Sequence, residues 1–414
     1  MPCRLRGAGG KVAVVTTSPL QGILVVDATR VVAGPLAGQM LADLGADVVK
    51  IERPGTGDDL RHVGPPWVRT PDGESMSSYF LAVNRGKMSV ELDFDAPEDA
   101  ALARDLLGRC DVFIENFRTG TLARHGLGFA ETSAFNPRII YCSITCFGQT
   151  GPRADQSGYD YLIQAMTGLM DVTGRAPGRP GAGPMRVGVP IVDIAAAKDA
   201  VIGILAALRA RDLTGQAQRV DISLFDSSIG LMLNPASAAL NGAEEIRPSG
   251  NDHPSAFPYG VFPVADGEII IATFSNAGFK AIAAVLGHPE WATDLRFAKP
   301  GDRVIHRADL EARMIACLKA HPKTYWIERL TAAKVSCGPI NTIAQALTDP
   351  HVAARGLVVV TEHPRLGTVR GIRLPVILSG APRAADRAPP LLGADTERVR
   401  ETLGPSPSSG LKPS

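Results

Sequence analysis

Asp193 closes the apolar run Val189-Pro190-Ile191-Val192 and opens an Ala-rich stretch of helical character. Two roles are open to a carboxylate there. It can cap the helix, because the first backbone N–H groups need an acceptor. Ionised, oriented and shielded from water, it can instead act as a covalent nucleophile, and the positive end of the helix would then favour its anion and lower its pKa. The residue pattern by itself favours the cap. Two basic clusters stand beside apolar runs: Lys50-Ile51-Glu52-Arg53-Pro54 and Glu115-Asn116-Phe117-Arg118. Arg53 or Arg118 can grip a phosphate with paired N–H groups, as lysine cannot. A solvated arginine, or an ion pair with Glu52 or Glu115, fits the same pattern and is the plainer reading.

Metal chemistry has no such foothold. The 8 histidines are scattered without ligand spacing, and Cys142 and Cys146, the nearest pair among 6 cysteines, have no His or Cys partner close by. Cysteine usage of this kind suits a reducing cytosol and buried free thiols better than a disulfide framework.

Strands and helices alternate through the first half of the chain. Gly22 to Asp27 is a short apolar strand, Pro35 to Leu44 carries helical spacing, and Ala46 to Ile51 is a second strand. This βαβ unit predicts a parallel sheet with right-handed crossovers. Pro97 to Leu107 is a further helix, and Val112 to Glu115 and Arg138 to Ile144 are strands. The Gly/Pro/Arg segment from Gly174 to Gly188 reads as a loop, Ile194 to Arg211 as a long helix and Gln218 to Ser223 as a strand. Punctuation between Glu244 and Pro258 marks a change to a smaller α+β unit. It begins with a hairpin around Asp266-Gly267 and continues with helices near Ala277 to Leu286, Ala308 to Ala320 and Lys323 to Ala333.

Composition narrows the function classes. In 414 residues, 43 Lys and Arg stand against 42 Asp and Glu, a net charge of +1 that offers no global field to nucleic acid or an anionic membrane. Hydrophobic residues at 45% suit a globular protein with a substantial core, and no run approaches the roughly 20 apolar residues of a membrane span. The apolar stretch Val12 to Val15 is too short for a signal peptide, so a cytoplasmic location is expected. A βαβ start invites a dinucleotide oxidoreductase. The loop Ala28-Thr29-Arg30-Val31-Val32-Ala33-Gly34-Pro35 nevertheless lacks G-x-G-x-x-G, and Pro35, read as the first helical position, fits a well-started helix without demanding a ligand.

Longer segments carry more information. They include GPLAGQMLADLGADVVKIERPGTGD (34–58), NRGKMSVELD (84–93), DVFIENFRTG (111–120), NPRIIYCSITCFGQTGP (136–152), GYDYLIQAMTGLMDVTG (158–174) and TGQAQRVDISLFD (214–226). Together they resemble the class III CoA-transferase (CaiB/BaiF) family, from about Leu20 to Leu403. That resemblance implies an enzyme that moves CoA from an acyl-CoA thioester to a free short acid, with dicarboxylic acids among the candidates. Asp193 falls where the family keeps its catalytic aspartate, which forms acyl anhydride and CoA thioester intermediates. Family positions that contact CoA fall on Val32, Arg53, Leu92, Asn116, Phe117 and Arg124. Gly158, Tyr159 and Asp160 fall beside the pantetheine and thioester. CoA and acyl-CoA are substrates in this reading, with no tightly bound cofactor and no metal.

Racemases of the family share the aspartate, so a racemase-like isomerase is the alternative. They carry a histidine where this chain has Tyr159, and a glutamate aligned with Asn276, and neither replacement supplies a good general base near neutral pH. The glycine run of formyl-CoA transferase is absent: Pro248-Ser249-Gly250-Asn251-Asp252-His253-Pro254 takes its place, which argues against formyl or oxalate specificity. A CoA-binding protein without turnover is the third reading.

The expected fold is α/β, a Rossmann-like parallel-sheet large domain with a second, smaller α+β domain. Residues 1–18 read as a disordered extension, or a start codon placed too early, 19–227 as the large CoA-binding domain and 228–333 as the small domain. Residues 334–404 read as a linker and C-terminal segment, and 405–414 as a disordered tail. The resemblance further implies that the C-terminal segment returns to the large domain and that two chains form an interlocked homodimer.

Overall fold

A computed structural model describes residues 17–403 except 71, 74, 243–245, 383 and 385. The expected extension (save residues 17 and 18) and the expected tail lie outside the described residues. The chain divides into two compact units. The larger takes the residues up to Thr167, Val187–Ala236 and those from Ala353 onward, and the smaller takes Gly168–Arg186 and Ser237–Val352.

The larger unit is organised by six parallel strands: β1 (Leu24–Ala28), β2 (Asp47–Glu52), β3 (Lys87–Glu91), β4 (Val112–Glu115), β5 (Ile140–Thr145) and β6 (Gln218–Ser223). Their order across the sheet is β3-β2-β1-β4-β5-β6. Val25 of β1 lies opposite both Val48 and Val112, and Ala28 opposite Glu115. Val25, Val26, Val112, Phe113 and Ile140 are fully buried, as near-continuous apolar runs must be when helices cover both faces of a parallel sheet. The chain runs outward from β1 on one side and returns to build the other side from β4. The switch in direction leaves a crevice at the carboxyl ends of β1 and β4, the usual ligand position in such sheets.

Helices α1 (Ala33–Asp43), α2 (Pro97–Arg109) and α3 (Asp160–Met166) belong to this unit, with the 24-residue α4 (Ile191–Thr214) and α5 (Leu224–Leu231). Helix α1 begins at Ala33, so Pro35 occupies the third helical position, where a missing N–H costs nothing. Its two glycines serve packing. A Cβ at Gly34 would lie 2.3 Å from the Thr29 side chain, and one at Gly38 would lie 2.8 Å from Asp27 Oδ2.

The smaller unit holds a three-stranded antiparallel sheet in the order β9-β8-β7, formed by β7 (Tyr259–Val264), β8 (Gly267–Ala272) and β9 (Ser336–Pro339). Helices α6 (Asn276–Val285), α7 (Arg307–Leu318) and α8 (Lys323–Ala332) accompany it. Val264 pairs with Gly267, so the turn residues are Ala265 and Asp266 and the glycine opens the next strand. Phe262, Ile271, Phe279, Met314 and Leu330 meet in its core.

The last described helix, α9 (Thr396–Leu403), belongs to the larger unit and packs beside β3. The N–H groups of Ser89 and Glu91, which face outward from that edge strand, donate at 3.0 Å to Asp395 Oδ2 and Thr396 Oγ1. The open edge of the sheet is thereby covered.

Candidate active site

Asp193 sits in the first turn of α4 as its third residue, 9% exposed. The sequence had suggested a helix from Ile194 with Asp193 as its cap. Pro190 pre-sets the backbone (φ −73°) and the helix starts three residues earlier, at Ile191, with no side-chain cap of its own. Asp160 fills the capping role instead: its Oδ2 accepts from Val192 N at 2.7 Å and from Asp193 N at 3.2 Å. Among the described residues the Asp193 carboxylate accepts no hydrogen bond, which leaves both oxygens free for chemistry.

The expected lowering of the Asp193 pKa is also overturned. Burial, then the neighbouring Asp160 carboxylate, raises it to about 7. Nearby is the Cys146 thiol, which donates to Gly158 O at 3.1 Å and is itself pushed up by burial.

Asp193 lines a cavity of about 630 Å³ with Val32, Asn116, Phe117, Gly158 and Tyr159. A second cavity of about 840 Å³ is lined by Arg53, Leu92, Phe117 and Arg124. Arg30, Phe117 and Thr121 line both, so the two adjoin at the carboxyl ends of β1 and β4. Asp160 lines neither. Arg30 went unrecognised in the sequence; the only signal for it was its place directly after the central strand. Its guanidinium lies 5.1 Å from the Phe117 ring centre. Burial, then nearby Arg53, lowers its pKa against the opposing Asp59 and Asp58, so an anionic ligand at this point would relieve an unfavourable arrangement. Arg53 pairs with Asp59 and keeps about half of its side chain exposed.

The loop carrying Arg30 is fixed by buried polar groups. Asn116 donates to the Arg30 carbonyl at 2.8 Å and accepts from the Arg30 N–H at 3.0 Å. Val31, with φ +69°, occupies a backbone region costly for a β-branched side chain, and its N–H donates to Asp58 Oδ1 at 3.1 Å. Lys50, fully buried, donates to the Thr29 carbonyl at 2.7 Å and pairs with Asp58 at 2.9 Å. Lys87 pairs with Asp27 at 2.7 Å and also donates to the Pro35 carbonyl. Burial alone would raise Asp27, but Lys87 and Lys50 outweigh it and hold the carboxylate near the bottom of its range, at about 2. The loop between β1 and α1 thus rests on two ion pairs removed from water.

A family model described as CoA-transferase family III matches residues 20–396. The chain belongs to that family. It is an enzyme of CoA transfer, and CoA thioesters are its substrates. A succinate–glutarate CoA-transferase of Agrobacterium fabrum is 42% identical over 401 residues, covering 94% of this chain and 98% of the relative. The human succinyl-CoA:glutarate CoA-transferase is 36% identical over 381 residues, covering 92% of this chain and 85% of the relative. A crystal structure of a CaiB/BaiF family protein from Brucella suis superposes with a TM-score of 0.82 at 40% identity, covering 94% of this chain and 100% of that one. The chain holds a parallel-sheet unit and a smaller one. Among the described residues no three His, Cys, Asp or Glu side chains are grouped to hold a metal, and no helix is long and apolar enough to cross a membrane.

Proposed function

We propose that this family III CoA-transferase exchanges CoA between two short dicarboxylic acids, with Asp193 as the covalent nucleophile. The observation that carries the reading is the Asp193 carboxylate, unbonded and opening into a cavity that adjoins one to which Arg30, Arg53 and Arg124 contribute. Relatives named for succinate, glutarate and mesaconate support the acid class.

An Asp193 oxygen attacks the thioester carbonyl, the C–S bond breaks, and CoA thiolate leaves a mixed anhydride. The thiolate attacks the aspartyl carbonyl of that anhydride, releasing the donor acid and giving an aspartyl-CoA thioester. The acceptor carboxylate then displaces the thiolate to form a second anhydride. Attack of the thiolate on its acyl carbon yields the new acyl-CoA and frees Asp193. A carboxylate with a pKa of about 7 is a stronger nucleophile than an ordinary one, yet remains ionised in a large share of molecules at neutral pH.

Arg30, Arg53 and Arg124 are suited to the phosphates of CoA, while Val32, Leu92 and Phe117 offer apolar contact. Gly158 and Tyr159 stand on the Asp193 side, near the reacting thioester. Asn116 acts through the Arg30 backbone that it holds. No tightly bound cofactor enters the scheme. Tyr159 in place of a basic histidine, and Asn276, whose Oδ1 accepts from Arg303 at 3.0 Å, count against racemisation. Apolar side chains left exposed along α4, such as Ile202 at 65% and Leu213 at 69%, support the homodimer, since a partner chain would cover them. A cytoplasmic enzyme without nucleic-acid or membrane partners completes the reading.

The test is incubation with succinyl-CoA, with and without glutarate, followed by hydroxylamine trapping and peptide mass spectrometry. Modification of Asp193, and glutaryl-CoA formed only when glutarate is present, is expected. Turnover with an unmodified Asp193, or unaltered turnover by Asp193→Asn, would sink the mechanism.

A further inference from the structure

No side chain of α4 itself caps its first turn. The residue before it is Pro190, which offers no side-chain acceptor, and the Asp193 carboxylate makes no capping bond. The acceptor comes from another helix. Asp160 Oδ2 takes the N–H groups of Val192 and Asp193, at 2.7 and 3.2 Å. Its other oxygen accepts from Gln164 Nε2 at 2.6 Å, one turn further along α3. Gln164 is fully buried, and its Oε1 accepts from Val187 N at 3.0 Å. The chain of bonds therefore runs from the end of the 174–188 segment, through Gln164 and Asp160, to the backbone of the nucleophile.

We infer that Asp160, clamped by Gln164, is a positioning residue that caps the Asp193 helix from outside and holds the nucleophile in register with the thioester. The inference rests on the proposed role of Asp193 and replaces a direct CoA contact by Asp160. Three hydrogen bonds already occupy its two oxygens, and its side chain lines neither cavity. A capping acid placed on α4 itself would need the same backbone as the nucleophile. An acid supplied by α3 leaves the Asp193 oxygens free.

The arrangement sets one carboxylate beside another, so it also governs when Asp193 can be ionised. Among the described residues, the only other titratable group shown to feel Asp193 is Cys146, which follows β5. Of the charged ones, Asp160 alone acts on Asp193.

The decisive variants are Asp160→Asn and Asp160→Ala. The Asn side chain can still accept from α4 but carries no charge. We expect its acid limb of kcat against pH to move down by about one pH unit, with KM for the acyl-CoA nearly unchanged. Asp160→Ala removes the cap, and kcat should fall roughly 10- to 100-fold with the same small effect on KM. An unmoved limb in Asp160→Asn, or a loss in Asp160→Ala expressed wholly in KM, overturns the inference. A carbon-13 NMR titration of Asp193 in wild type and Asp160→Asn separates it from the functional reading. The midpoint should move downward whether or not the protein transfers CoA, and an unmoved midpoint counts against Asp160 alone.

Discussion

Asn116 grips the backbone of Arg30 from both sides, its amide donating to the carbonyl at 2.8 Å and its Oδ1 accepting the N–H at 3.0 Å. Both strand ends at the sheet's change of direction are tied together by that exchange. In Asn116→Ala two backbone groups lose their partners. We predict a loss of about 1–3 kcal/mol in stability, together with a higher KM for acyl-CoA as the Arg30 loop loosens. Asn116→Asp keeps the acceptor and should fall between the two. Chemical denaturation and initial-rate kinetics on the same preparations provide the check.

Arg53 is paired with Asp59 yet half exposed at the larger cavity. Arg53→Ala should raise KM roughly tenfold for a full acyl-CoA. A truncated thioester without the nucleotide half should be used almost as well by the variant as by the wild type. Arg53→Lys should recover only part of the loss, because an ammonium group cannot form the paired contact. Equal losses with both thioesters would remove Arg53 from phosphate binding.

The raised pKa of Asp193 has a signed consequence for stability. Its folded-state value of about 7 lies above the ordinary 3.8, so the native protein holds this proton longer than the unfolded chain does. The resulting stability is complete below about pH 4 and is lost as pH rises through 7. Asp193→Asn, neutral throughout, should therefore gain on wild type across that interval, by roughly 2–4 kcal/mol at pH 8. Melting temperatures at pH 5 and pH 8 would show the gap widening. Over the same interval wild-type activity should rise with pH as a single proton is lost.

Lys87 and Asp27 are both fully buried, and each is the other's nearest counter-charge. Lys87→Met should cost about 3–5 kcal/mol, since it strands the carboxylate. The double variant Lys87→Met with Asp27→Asn should cost less than the single one. Urea unfolding decides, and a double variant worse than Lys87→Met would mean that packing at this point matters more than charge.

Much of this architecture is readable from the residues, and what is not has identifiable physical causes. Apolar runs such as Val25-Val26 and Val112 to Ile114 had to be central strands, because nothing else buries them on both faces. Strand β3 escaped notice because Lys87, Ser89 and Glu91 alternate polar groups into it, and each is engaged by a distant residue: Asp27, Glu52 and, through its N–H, Thr396. The position of Asp193 was visible, but its environment was not. Its pKa is raised by burial and then by Asp160, which stands 33 positions earlier in the chain and comes close only once two helices have packed. Arg30 hid for a similar reason. An arginine in a loop without glycine punctuation resembles any surface arginine until the crevice forms around it.

The seal over the outer strand is made by residues near the end of the chain, so its timing during synthesis is constrained. While a ribosome is still translating the middle of the message, Lys87–Glu91 can already join its neighbour, but Asp395 and Thr396 remain unmade and the outward N–H groups are bare. For the length of some three hundred further codons, the nascent protein offers an open strand to any other extended segment. A stop codon in place of Asp395 would make that transient vulnerability permanent, and its product should be found in inclusion bodies even though every side chain around Asp193 is still encoded.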